Sequence, residues 1–440
     1  MHHPLIPLKD ATFTLDSSGV AGFFGGDEAV SAMATVHVYE GRRWLGWYNS
    51  PGSYEIGKRY GQLANSRLWD GLFPGVNVDP ATLFELDGEK GPRFKAAHSG
   101  TTIQQTGHLA HLFATACEDL EAVKVNGRES MRVAVTIADL HYCPPKEAYP
   151  KLLRTYSGLL ASIPIIVSLG TCVVCAVYWD WYSFSMILLG IISSGVACYV
   201  IGSGQLVFKH PASTVAPGAP KGDGILITEN GIVVLTGEEG AVTAVTRGRF
   251  ALRLKSEPEY RNIGMAAVLL NVQFLAQLLL IPQAHLFGQL MFLASLAVSW
   301  AYNSYLSSLD KEKVQMEILD QVLDHPSKRK YSLGTRTTAA IFVLLVLDCL
   351  HPEKLLDEML PNDTKAWRIW KEAVIPRLQS RKDFQFEGED WERDDLDSDQ
   401  KEMLKTLFGD AQAAYLGYLQ HIASASKPDR KSEVSRVSEV

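Results

Sequence analysis

Two apolar blocks, Tyr156 to Leu206 and Ile263 to Leu306, constrain this chain more than any other feature. The first divides at Tyr178-Trp179-Asp180-Trp181-Tyr182 into Tyr156 to Val177 and Ser183 to Leu206. The second divides at Pro282 into Ile263 to Ile281 and Ala284 to Leu306. None of the four runs contains Asp, Glu, Lys or Arg. Each is near the about 20 residues that a helix needs to cross a bilayer. Trp and Tyr gather in the first turn, as side chains with an apolar body and a polar tip do at the headgroup level. The expected fold class is an integral membrane protein with four transmembrane helices in two hairpins, plus a cytoplasmic α+β domain and a C-terminal helical region.

Orientation follows from Lys and Arg, which stay on the cytoplasmic side of short loops. Both hairpin turns, Tyr178 to Tyr182 and Pro282 to His285, lack them. The opposite flanks carry Lys146, Lys151, Arg154, Lys209, Arg261, Lys311, Lys313 and the cluster Lys328-Arg329-Lys330. Both termini and the central loop are therefore expected in the cytoplasm, of a membrane the sequence does not specify. On that topology the sequon Asn362-Asp363-Thr364 stays unglycosylated. Met1 to Phe13 shows no basic region followed by an apolar core, so the first span is expected to act as the insertion signal.

With 440 residues, 47% of them hydrophobic, and a mean hydropathy of +0.01, the chain has room for soluble domains besides its spans. Residues 1–150 are expected to form the cytoplasmic α+β domain. Within it Thr35 to Tyr39 and Met131 to Ile137 read as strands, and Tyr54 to Trp69 and Gly107 to Val123 as helices. Transmembrane hairpin 1 occupies 151–208 and hairpin 2 occupies 263–306. Between them, 209–262 reads as a β-rich loop, with strands at Gly224 to Thr228, Ile232 to Thr236, Ala241 to Thr246 and Arg249 to Leu254. These short strands are expected to pack on the amino-terminal domain. Residues 307–423 form the helical region, with Ala339 to Leu347 too short for a span and read as a buried helix. Residues 424–440 read as a disordered tail. A net charge of -7 argues against nucleic acid as a partner. The six scattered cysteines fit reduced thiols rather than a disulfide framework.

No catalytic or cofactor motif stands out, and no cofactor is expected. His108 and His111 form H-x-x-H without a second ligand pair. Asp395, Asp397 and Asp399 resemble the start of a calcium loop, but Gln400 and Thr406 replace the Gly and Glu it requires. An acidic linker with Asp399 and Glu402 capping the last helix accounts for them. Within the spans, Gly190, Ser194, Cys198 and Gly202 recur every fourth residue, as do Ser168, Cys172 and Ala176, the pattern of close helix packing. The uncharged amides Asn271, Gln273, Gln277 and Gln289 are candidates for a polar membrane path or for interhelical hydrogen bonds. Arg247, Arg249, Arg253, Lys255 and Arg261 are candidate contacts for anionic lipid. Ser438-Glu439-Val440 fits a terminus captured by strand-adding domains.

Tyr331 to Leu350 (YSLGTRTTAAIFVLLVLDCL), Leu355 to Val374 (LLDEMLPNDTKAWRIWKEAV) and Gly237 to Leu254 (GEEGAVTAVTRGRFALRL) resemble a large group of uncharacterised fungal multi-pass membrane proteins. The resemblance implies a shared four-span plan with cytoplasmic domains and brings no activity or site residue. Besides the lipid bilayer, the expected partners are a cytoplasmic protein or further copies of the chain. A membrane-anchored scaffold or adaptor is the leading functional class, ahead of an oligomeric channel or carrier and of a membrane-bound enzyme.

Overall fold

The computed structural model describes residues 7–8, 24–39, 41–64, 67–73, 79–141, 155–209, 218–254, 260–381 and 384–425. Along the chain they form helices α1 (Gly26–Ala34) and α2 (Ser53–Gly61), strands β1 (Arg93–Ala96) and β2 (Thr102–Ile103), and helix α3 (His108–Glu118). Strands β3 (Ala122–Lys124) and β4 (Val133–Leu140) precede the long apolar helices α4 (Thr155–Val177) and α5 (Trp181–Ile201). Then come β5 (Gln205–Lys209), β6 (Gly224–Ile227), β7 (Gly231–Gly237), α6 (Glu239–Arg247) and β8 (Arg249–Arg253). The second apolar pair is α7 (Arg261–Leu280) and α8 (Leu286–Ser307). The remaining elements are α9 (Lys311–Val322), β9 (Ser327–Leu333), α10 (Arg336–Leu347), α11 (Pro352–Met359), α12 (Lys365–Ser380) and α13 (Ser398–Ala425).

The mixed α/β chain divides into two units. The first holds the described residues up to 88, 155–209 and 249–322, and the second those of 89–141, 218–248 and 323–425. Of residues 1–150, expected as one domain, the described residues up to 88 fall in the unit of the apolar helices and those of 89–141 in the unit of the sheet. The 209–262 loop and the 307–423 region are likewise each shared between units.

In the first unit, α4 packs on α5 and α8, and α5 packs on α7. Among the described residues three helices are long and apolar enough to cross a membrane, spanning Gly158–Val177, Trp181–Ile201 and Arg261–Gln283. The equally long α8 also lacks Asp, Glu, Lys and Arg, but Gln289, Ser295, Ser299 and Asn303 lower its hydropathy, and it is not one of the three. Asp180, only 2% exposed, ties the two hairpin turns together. Its Oδ1 accepts from Ser183 N–H at 3.2 Å, capping α5, and its Oδ2 accepts from His285 N–H at 3.1 Å, at the start of α8. The second run ends earlier than its apolar sequence suggests, since Gln205 to Lys209 pairs as an antiparallel strand with Arg249 to Arg253. Thr35 to Tyr39, expected as a strand, instead extends α1 as a 3-10 turn at Thr35–His37. All five of its residues are buried, so no solvent face exists for the alternation to serve. The helix expected over Tyr54 to Trp69 closes at Gly61.

The second unit is built on a seven-stranded sheet of order β2-β1-β6-β7-β4-β9-β3. The central-loop strands β6 and β7 join β1 and β4 in that sheet, β6 antiparallel to β1 and β7 parallel to β4. One face carries Val135, Ile137, Ile225, Val234, Tyr331 and Leu333 against α10 and the helices around it. Residues Thr337 to Leu345 of α10 are all buried, as a helix that is apolar all round must be. Ala241 to Thr246, expected as a strand, is helical. It buries Ala241, Val242, Ala244 and Val245, the i, i+1, i+3, i+4 spacing of one helix face, and packs on α3 and β7. Strand β9 had no counterpart in the sequence reading. Its Lys328-Arg329-Lys330 looks like a topology-setting cluster, yet Lys328 lies over the Phe113 ring and the Lys330 ammonium donates to the Glu118 carbonyl at 2.6 Å. The last helix is capped by Asp397, whose Oδ1 accepts from Gln400 N–H at 2.8 Å, in place of the expected Asp399 and Glu402. It also runs on to Ala425, into the first residues of the expected tail.

Candidate functional site

A polar cluster of the first unit lies among its apolar helices, around a segment that opens with a 3-10 turn at Arg42–Trp44 and continues without regular structure to Asn49. From Arg42 to Asn49 the chain follows α5 backward, from the end near Gly202 to its middle. Arg43 lies against Gly202, Gly46 against Cys198, Trp47 against Gly195 and Asn49 against Gly190. The stripe Gly190, Ser194, Cys198 and Gly202, expected to seat a neighbouring helix, therefore seats a 3-10 turn at Arg42–Trp44 and the irregular chain that follows it. A side chain at Gly190 or Gly202 would occupy the space that Asn49 or Arg43 fills. The segment then turns at Pro51-Gly52, where Gly52 adopts φ 72° and comes close to Gly26 of α1. Only glycine takes that backbone conformation without strain. The chain returns as α2, packed along α7.

Asn49 touches all four apolar helices and is fully buried. Its N–H donates to Ser168 Oγ of α4 at 3.0 Å, and its Nδ2 donates to Ser295 Oγ of α8 at 2.9 Å. Its Oδ1 accepts from Gln277 Nε2 of α7 at 3.3 Å, and on α5 it rests on Gly190. Gln277 Nε2 also donates to the Met186 carbonyl at 3.2 Å, and Gln273 Nε2 donates to Gln277 Oε1 at 3.4 Å. A buried amide with its partners in place fixes one arrangement of the elements around it, because every misplacement leaves a polar group unpaired.

A second cluster joins the segment to the far ends of α5 and α8. Arg42, 2% exposed, donates through Nη2 to the Tyr48 hydroxyl at 3.2 Å and through Nη1 to Cys198 Sγ at 3.9 Å. Its guanidinium also lies 5.4 Å from the Tyr302 ring centroid. Tyr48 donates to Asn303 Oδ1 at 2.8 Å, and Asn303 Nδ2 donates to Ser50 Oγ at 3.1 Å. Among the described residues no carboxylate stands within ion-pair distance of Arg42, so one hydroxyl, a thiol and an aromatic face compensate the buried charge.

The amides expected along a polar path separate accordingly. Gln273 and Gln277 enter the Asn49 cluster, and Asn271 lies on the α2 side of α7 against Gly57. Gln289 sits by the second hairpin turn, donating to the Ala284 carbonyl at 3.0 Å. The basic residues expected to meet lipid are likewise divided. Arg249 and Arg253 are exposed at the two ends of β8, Arg249 being 3.9 Å from Asp79, and Arg261 is exposed at the start of α7. Arg247 belongs to the second unit, where it lines a cavity of about 320 Å³ with Lys221, Thr243 and Thr246. Lys255 and Ser438 to Val440 lie outside the described residues. His108 and His111 share α3 with ring centroids 6.3 Å apart, and no group of three potential metal ligands occurs among the described residues.

No family model, curated protein or solved structure matches this chain. Its site is therefore read from geometry alone. Arg42, Tyr48 and Asn49 were missed in the sequence because they precede the apolar runs by over a hundred positions. The one signal for them is composition: WLGWYNSPG, Trp44 to Gly52, is uncharged, aromatic and small, like the surroundings of a span.

Proposed function

We propose that this protein is a membrane-anchored adaptor, held by a four-span bundle whose interior is closed by its own chain, and acting through the α/β unit. In this reading α4, α5, α7 and α8 all cross the bilayer, with both termini and the central loop on the cytoplasmic side. The outward face of α4 supports it, since Leu159, Ile163, Ile166, Leu169, Val173 and Val177 are exposed along one side, a stripe that water would not favour. On this topology Arg42 to Gly61 is a re-entrant segment that enters from the cytoplasmic end and turns back at Pro51-Gly52, just past Asn49. Non-helical backbone at that depth is tolerated only where protein surrounds it. The likeness to fungal multi-pass proteins belongs to the same proposal.

The observation that carries the adaptor reading over a channel is Asn49. Gln273 and Gln277, which would line a path, hydrogen-bond to it or to each other, and buried Asn49 contacts all four helices. The test has two parts on one preparation, the full chain purified from native membranes in mild detergent. The adaptor reading expects a different protein at fixed stoichiometry, and no solute flux after reconstitution into liposomes. A homo-oligomer with flux that Gln277→Ala alters would replace it with the channel reading.

A further inference from the structure

Beside the Asn49 cluster, on the outer side of α7, is a cleft of about 340 Å³, within the range of pockets that hold small ligands. Tyr54, Lys58 and Gln62 of α2 line one wall at i, i+4 and i+8, a single helix face. Asn271, Phe274 and Leu275 of α7 line the other, and Leu72 and Phe73 complete it. The cleft is thus aromatic and aliphatic with one amide on each wall and a single charge, which is positive. No acid lines it.

Lys58 is exposed, and no carboxylate stands within ion-pair distance of it among the described residues. On the same helix Glu55 lies against Gly26, and Glu85, the partner of the neighbouring Arg59 at 3.7 Å, also takes Lys311 at 2.8 Å. The Lys311 hydrogen bond, ahead of the other contributions, holds the Glu85 carboxyl below the usual range, so it stays ionised and paired there. The apolar floor continues outward through Leu72, 55% exposed, and Leu275, 54% exposed. A cation above an open apolar groove matches a molecule with an anionic head and a hydrocarbon tail.

We infer that this cleft is a specific site for one anionic phospholipid of the cytoplasmic leaflet. Its phosphate lies at Lys58 and Gln62, and its acyl chain lies over Phe274, Leu275 and Phe73. The inference rests on the four-span reading, which directs the carboxyl end of α2, with Lys58 and Gln62, toward that leaflet and leaves Phe274 and Leu275 deeper, at acyl-chain depth. Membranes holding the full chain are extracted with alkaline carbonate, and the detergent-purified protein is then titrated with dioleoyl phosphatidylserine or dioleoyl phosphatidylcholine and examined by native mass spectrometry. The expected result is one phosphatidylserine adduct, reduced about five-fold by Lys58→Glu, the effect of one basic contact. Lys58→Arg keeps the adduct, and Lys313→Glu, an exposed change on α9 outside the cleft, leaves it unchanged. Equal retention of the two lipids, or Lys58→Glu without effect, overturns the site while the spans stand. Release of the protein by carbonate overturns the spans, and the site with them.

Discussion

Replacing Gly190 by Ala separates a re-entrant segment from a helix-packing stripe. A methyl group at Gly190 would overlap Asn49 Oδ1 and stand 2.9 Å from its Cγ and 3.2 Å from Gln277 Nε2. Overpacking of this kind costs about 1–3 kcal/mol, partly offset by the up to about 1 kcal/mol by which Ala favours a helix over Gly. Asn49→Ala removes the side-chain bonds to Ser295 and Gln277. Gln277 keeps the Met186 carbonyl, so that substitution also costs about 1–3 kcal/mol. In the Asn49→Ala background the overlap is gone. Gly190→Ala should there be neutral or stabilising, which makes the coupling about 1–3 kcal/mol. The assay is the unfolding equilibrium of the four species of this cycle in mixed micelles titrated with denaturing detergent. Independent sites add to within about 0.5 kcal/mol. Additivity within that margin would refute the contact between residue 49 and the stripe.

Three further outcomes follow from other parts of the molecule. Asp180→Ala removes the cap of α5 and the bond to His285, and should lower detergent stability by about 1–3 kcal/mol, read as a fall in the thermal midpoint, with Asp180→Asn intermediate. In the second unit, Asp410 is 1% exposed and accepts from Arg128 Nη2 at 2.8 Å and Thr335 Oγ1 at 3.1 Å. Arg128→Ala leaves that carboxylate buried without its cation and should cost about 3 kcal/mol, more than Asp410→Asn, by denaturant titration. Burial, and then Arg329, lowers the pKa of His421, whose Nδ1 stands 3.0 Å from the Tyr331 hydroxyl. The folded protein therefore binds this proton less readily than the unfolded chain, so its contribution is intact above about pH 6.5 and is lost as pH falls toward the lowered value. His421→Gln should flatten the stability profile of the second unit below that point. An unchanged profile would remove His421 from the acid response.

Hydrophobic length made the four apolar helices legible in the sequence, a short charge-bounded apolar run made α10 so, and periodicity made α3 so. What it hid has physical causes. β9 is strand built from SKRKYSL, where long cationic side chains lie along α3 and only Tyr331 and Leu333 are buried, so alternation is masked by lysine stems that bury and heads that do not. Ala241 to Thr246 carries β-branched residues in apparent alternation, and the packing of α6 on α3 overrides that preference. The small residues of α5 announced a close approach. They could not say whether a long helix or an irregular segment makes it, because the partner, Arg42 to Asn49, lies far away in sequence and has no periodicity of its own.

The central claim, four crossings around a re-entrant segment, is tested most directly by the sidedness of two positions flanking α8. Gln283→Cys and Lys313→Cys, both at exposed sites, are made singly in a Cys143→Ser background, where the five described native cysteines are all buried. Each is labelled with a membrane-impermeant maleimide in sealed vesicles of known orientation. Four crossings require position 283 to react only from the external side and position 313 only from the cytoplasmic side. Reaction of both from the external side would leave α8 uncrossed, and the bundle around Asn49 could not stand as described.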